Sequence, residues 1–121
     1  AMDLVKAMPD ELEISVCSYD DLRERSFDLI INGTSASLFG KELGLPDMLL
    51  SSSDTACYDM MYGRHSSAFM GWADKRGADV ADGLGMLVEQ AAESFSIWRG
   101  IRPDTQPVIH LLREKLNIAR G

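Results

Sequence analysis

Three short apolar runs, each closed by turn residues and separated by stretches of helical periodicity, constrain this chain more than any other feature. Phe27-Asp28-Leu29-Ile30-Ile31-Asn32 stops at Asn32-Gly33-Thr34-Ser35, Thr55 to Tyr62 stops at Gly63, and Ala78-Asp79-Val80-Ala81 stops at Asp82-Gly83. An apolar run of this length bounded by turn residues reads as a strand buried on both faces. Between the second and third runs, Ser67 to Gly77 places Phe69, Met70 and Ala73 on one side and ends on a glycine stop. Strands that alternate with helices in this way build a parallel sheet with crossover helices, so the fold class is α/β. Ligands of such sheets bind beyond the carboxyl ends of the strands. That rule singles out Asn32 to Ser37, Met60 to Gly63, and Asp82 to Gly85.

The remaining pattern fits around this frame. Ala1 to Met8 reads as the tail of a helix ended by Pro9, and Leu12-Glu13-Ile14-Ser15-Val16 alternates as a half-buried strand does. Ser18 is placed to cap a helix, with Asp21 three residues on to complete a capping box. From Gly83 the chain is amphipathic: at about 100° per residue, Leu84, Leu87, Val88, Ala91, Phe95 and Trp98 share one face, with Glu89, Glu93 and Ser96 opposite. Gln90 belongs to neither and sits on a flank with Met86, Ser94 and Ile97. It either borders the core and reaches solvent or faces a ligand from two turns inside a helix that starts in the strand-end crevice. Gly83 and Gly85 suit a phosphate loop or a tight strand-to-helix turn, and Asp82 beside them would repel a phosphate. Asp104 can cap a last helix in which Pro107, Val108, Leu111, Leu112 and Leu116 recur.

The totals exclude several classes. A chain of 121 residues is one domain in size and can bury one core. A net charge of −7 with scattered Lys and Arg argues against nucleic acid. The absence of an apolar run of about 18 residues and of a leader argues for a soluble, cytoplasmic chain with no membrane partner. Cys17 and Cys57 have no partner at metal-ligand spacing, so both are expected as buried, reduced thiols and no metal site is expected. His65 and His110 stand without a triad context and read as surface residues, and the seven methionines read mostly as fillers of the core and helix seams.

Four strings, "DLIINGTSASL", "CYDMMYGRHSSAF", "ADGLGMLVEQAAESFSIWRG" and "RPDTQPVIHLL", in this order and spacing, resemble the C-terminal portion of the shikimate dehydrogenases of the AroE type. The resemblance runs from about Leu12 to Leu112. It implies a partial Rossmann-like, three-layer parallel sheet of three to four strands with flanking helices, without the first two strands or the N-terminal substrate domain. Residues 1–99 are then the later part of the NADP-binding domain and 100–121 a C-terminal helix near the interdomain junction. The implied activity is NADPH-dependent reduction of 3-dehydroshikimate to shikimate, in the chorismate route to aromatic amino acids. The resemblance places Gln90 and Tyr62 at the substrate and Met60 and Gly83 at the nicotinamide end of NADP, with Asn32 and Thr34 bordering the cofactor crevice. An amide at position 90 can both donate to and accept from hydroxyls, which explains an uncharged polar residue there.

The same resemblance assigns no catalytic residue to this chain, since the family's catalytic Lys and Asp, its Gly-rich loop and its 2′-phosphate-reading segment belong to parts without counterpart here. No turnover is expected from the 121 residues by themselves. Gly33 stands where alanine is more usual, and Ser67-Ala68 where Thr-Pro is common. In strand order 3-2-1-4-5-6, Leu12 to Val16 would be third and Leu29 to Asn32 fourth, leaving an unpaired edge and an expectation that the chain self-associates, repacks, or finds the missing part on another chain. Two other readings make different predictions: a non-catalytic half-domain that docks on or regulates another protein predicts a stable partner, and a purely structural module predicts Gln90 in solvent away from Tyr62.

Overall fold

The computed structural model describes residues 2–9, 11–36, 44–50, 54–63 and 67–116. Ser37 and His65, both singled out above, lie outside them. In chain order the elements are α1 (Met2–Lys6), β1 (Leu29–Asn32), β2 (Ala56–Asp59), α2 (Ala68–Asp74), β3 (Asp79–Asp82), α3 (Leu84–Arg99) and α4 (Gln106–Leu116), with single 3-10 turns at Asp20–Leu22 and Asp47–Leu50. The strands form one parallel sheet in the order β1-β2-β3. The expected α/β class is therefore the observed one.

Register explains the core. Ile30, Cys57 and Val80 are partners across the three strands and share one face, because side chains alternate with period two. Phe69 and Ala73 of α2 and Leu50 of the second 3-10 turn pack on that face, with Leu45, Met70 and Trp72 around them. Trp72 stacks on Phe69 and carries the Arg76 guanidinium 5.3 Å from its ring centre. Burial pushes the Cys57 thiol above its ordinary range. The helix cap is local: the Ser67 hydroxyl accepts from the Met70 N–H at 3.1 Å, and Gly77 closes the segment at a φ of 77° that only glycine adopts without strain.

Several sequence expectations are corrected. Leu12 to Val16 is no strand; these residues are exposed and make no ladder, since the sheet supplies no strand beside them to reward extension. β1 is not buried on both faces, for Leu29 and Ile31 point away from α2 and are 53% and 56% exposed. The Ser18–Asp21 capping box forms, with Ser18 N–H donating to Asp21 Oδ2 at 2.9 Å and Asp21 N–H to Ser18 Oγ at 3.4 Å, yet it encloses only one 3-10 turn. The Ser18 hydroxyl, donating to Asp21 Oδ2 at 2.6 Å, and then the Ser18 N–H hold the Asp21 carboxyl below its ordinary range. Cys17 is exposed, and only Cys57 is buried. None of the methionines is fully buried, and Met2, Met8, Met48 and Met60 are exposed.

The long helix α3 also turns differently from its hydrophobic pattern. It buries Leu84, Val88 and Ala92, leaving Ala91, Phe95 and Trp98 exposed. The connection to α4 is polar: Arg102 pairs with both Glu89 and Glu93, and the Thr105 hydroxyl donates to Glu89 at 2.6 Å. Gly100, at a φ of 70°, ends α3, and Asp104 accepts from the Gln106 N–H at 3.2 Å to begin α4 as expected. Among the described residues no helix is long and apolar enough to cross a membrane.

Candidate functional site

The carboxyl ends of the three strands meet in one polar knot. Asn32, Asp59 and Asp82 end β1, β2 and β3, are paired in register, and are all buried. Asp59 is the centre. Its Oδ1 accepts from Asn32 Nδ2 at 3.2 Å and from the Met61 N–H at 3.0 Å, and its Oδ2 accepts from the Ser67 hydroxyl. Asn32 turns its own oxygen outward, accepting from the Thr34 N–H at 3.0 Å and the Thr34 hydroxyl at 2.8 Å. The backbone closes the same contacts: Met60 N–H donates to the Asn32 carbonyl at 3.0 Å, and Gly83 N–H to the Met61 carbonyl at 3.1 Å.

The third strand end is anchored from the far end of the chain. Asp82 accepts from the Leu84 N–H, holding the entry to α3, and its carboxylate pairs at 3.0 Å with Arg113 on α4. Gly83 is buried so closely against the neighbouring turn that a Cβ there would lie 2.1 Å from the Met60 carbonyl oxygen. The tight strand-to-helix turn thus accounts for this glycine. Gly33 differs, since a Cβ there would rest in ordinary contact, 3.4 Å from Met60 Sδ. An alanine would fit at this place against the flexible Met60 side chain.

Of the residues predicted from sequence, Asn32, Thr34, Met60 and Gly83 are brought together by these bonds. Tyr62 follows on the same turn as Met60 and is 46% exposed. Gln90 lies about two turns into the helix that starts beside Gly83, also exposed. Among the described residues neither the Tyr62 hydroxyl nor the Gln90 side-chain amide makes a hydrogen bond. Both are free to meet a ligand, and no bond within the chain joins them to each other. His110 is exposed, as expected. Sequence reasoning gave no role to Asp59, Ser67 or Arg113 and met Asp82 only as a charge that would repel a phosphate. Asp59 is an acidic residue inside an apolar run, which was the signal available; the partner on α4 had none.

The site fits one end of a dinucleotide better than the other. Gly33 and the half-exposed thioether of Met60 give an open, apolar shelf suited to the face of a planar ring. Phosphates have no such place: Gly83-Leu84-Gly85 is followed by Val88 where a third loop glycine would stand, and Asp59 and Asp82 put carboxylates at two of the three strand ends. Among the described residues no group of acidic, His and Cys side chains could hold a metal ion.

A parallel sheet with α2 crossing between β2 and β3, and α3 leaving the end of β3, defines a Rossmann-like α/β unit. Residues 83–113 match the family described as Shikimate 5'-dehydrogenase C-terminal domain. The chain is 50% identical over 117 residues to "Shikimate dehydrogenase (NADP(+))" of Nitrosospira multiformis, a match covering 96% of this chain and 42% of that protein. The crystal structure of an Ael1 enzyme from Pseudomonas putida superposes with a TM-score of 0.78 at 42% identity, over 93% of this chain and 42% of that one. Shikimate 5-dehydrogenase from Thermus thermophilus, solved in complex with shikimate, superposes with a TM-score of 0.63 at 28% identity, over 84% and 37%. Along nearly its whole length the chain is similar to shikimate dehydrogenases, and it spans under half the length of the curated relatives it matches.

Proposed function

We propose that this chain forms the nicotinamide-facing and part of the substrate-facing wall of an NADP-dependent shikimate dehydrogenase. The observation that supports it most directly is the docking of Gly83 on the Met60–Met61 backbone. That contact sets the start of α3, the helix that bears Gln90, beside the turn carrying Tyr62. NADPH, when bound, supplies the hydride that reduces the ketone of 3-dehydroshikimate. The chain's own residues bind and orient: Met60, Gly83, Asn32 and Thr34 border the ring of the cofactor, while Tyr62 and Gln90 hydrogen-bond the hydroxylated acid. The proton-transferring Lys and Asp come from outside these residues, so the 121 residues do not turn over by themselves.

This reading carries the division into residues 1–99, nucleotide domain, and 100–121, a helix toward the substrate domain. It also carries a cytoplasmic role in chorismate synthesis and self-association of the chain through β1 when it is alone. The test is titration of shikimate against the full-length enzyme carrying Gln90→Ala. Losing hydrogen bonds to a bound hydroxyl weakens affinity by about tenfold; unchanged affinity removes Gln90 from the site.

A further inference from the structure

We infer that Asp59, which touches no ligand, is the positioning residue that holds the substrate-side and cofactor-side walls of the crevice in one arrangement. The inference rests on the function proposed above and extends it to a residue that function does not use.

Asp59 is completely buried at the end of the central strand. Burying a carboxylate costs several kcal/mol unless donors meet it. Here the donors come from three separate segments: Asn32 Nδ2 from the end of β1, Met61 N–H from the turn bearing Met60 and Tyr62, and the Ser67 hydroxyl from the start of α2. A carboxylate only accepts, so the Asn32 amide must present its NH2 inward and its oxygen outward. That oxygen is what gathers the Thr34 N–H and hydroxyl. One buried charge therefore dictates the turn at Thr34 and the turn at Tyr62 together. An asparagine at 59 would leave the direction of both amides open, because its NH2 could face Asn32, whose oxygen would then turn inward, as readily as it faces Ser67.

The consequence distinguishes positioning from plain stability. A destabilised enzyme has fewer active molecules and a lower apparent kcat with unchanged KM. Misplacing both turns instead raises KM for both ligands. In the full-length enzyme, Asp59→Ala is expected to raise KM for shikimate and for NADP each by about tenfold, and Asp59→Asn by about threefold, with Gln90→Ala raising that for shikimate alone. Val80→Ala, which thins the core beneath α2, is the matched lesion: it lowers Tm and leaves both KM values in place. Should Asp59→Ala fail to fold, Ser67→Ala must raise both KM values and Ser67→Thr, which keeps the hydroxyl, must restore them.

A KM effect confined to one ligand, or equal effects from Val80→Ala, overturns the inference. A second measurement separates it from the function itself. In the 121-residue chain, Asp59→Ala is expected to speed amide exchange at both Met61 and Thr34 by about tenfold, the loss of one hydrogen bond's protection. Faster exchange at both sites, together with a full-length protein that does not turn over shikimate, would refute the function and keep the positioning role. Unchanged exchange at Thr34 would refute the role whatever the activity.

Discussion

At residue scale, two glycines one residue apart carry opposite demands. Gly83 has the Met60 carbonyl oxygen 2.1 Å from where a Cβ would stand, and that neighbour is backbone, unable to swing aside. Gly85 has nothing within 4 Å and lies inside α3 with an ordinary φ. Gly83→Ala is therefore expected to destabilise by about 3 kcal/mol through forced separation of the two turns. Gly85→Ala is expected to stabilise by about 0.5–1 kcal/mol, since it removes backbone freedom from the unfolded chain at no steric cost. Urea melts of the two variants settle the pair; equal effects would mean that the turn at Met60 does not press on Gly83. The sequence displays both glycines alike, because a Gly-x-Gly string records permissiveness without recording which position uses it. The candidate site was legible at the level of motif strings, which carried Met60, Tyr62, Gly83 and Gln90 by resemblance. The buried carboxylates that tie these together were not, as a lone Asp ending an apolar run looks the same whether it is a surface cap or the centre of a knot.

At element scale, the strands and helices that could be read were those whose partners lie nearby in the chain. β2, α2 and β3 follow one another within about thirty residues and pack on each other, so local pattern and tertiary demand agree. Leu12 to Val16 has the pattern of a strand and no strand to pair with, and pattern by itself does not meet the entropy of extension. The buried face of α3 departs from its pattern for a related reason: a hydrophobic stripe does not suffice, and Phe95 and Trp98 stay exposed while Leu84, Val88 and Ala92 are buried. α4 shows the same rule at its strongest. It buries no residue completely and meets the sheet end through Arg113 and Asp82. Asp82 is 5% exposed as a side chain, so removing its cation leaves a buried charge without a counter-ion, a loss of about 3 kcal/mol in Arg113→Ala. Arg102→Ala touches only exposed carboxylates and should cost less than about 1 kcal/mol. Denaturant midpoints compare them directly, and equal losses would show that α4 is held by something other than this pair.

At the scale of the whole molecule, the three-stranded sheet ends in two edge strands, and the β1 edge carries the exposed apolar side chains. β1 bonds to β2 along its inner edge, and its outer edge stands free among the described residues with Leu29 and Ile31 exposed. Beside it lies an apolar cavity of about 280 Å³ lined by Leu22, Phe27, Ile30 and their neighbours. An unpaired strand edge flanked by apolar surface is a template for another chain, and the copy at hand in a solution of this chain is another of itself. The net charge of −7 on each copy opposes the approach, and that repulsion is screened over about 8 Å at physiological salt. Association is thus expected to be weak at low ionic strength and to grow as salt is added, which is the reverse of what a charge-paired interface does. Sedimentation at about 10–100 µM should show it. Ile31→Lys places a charge on the exposed side of the edge and buries nothing new, so it should return the chain to monomer without lowering its melting temperature. A wild-type chain that stays monomeric at high salt would show that the edge is already closed by residues of its own, and the side chains at 29 and 31 would then have to be found covered.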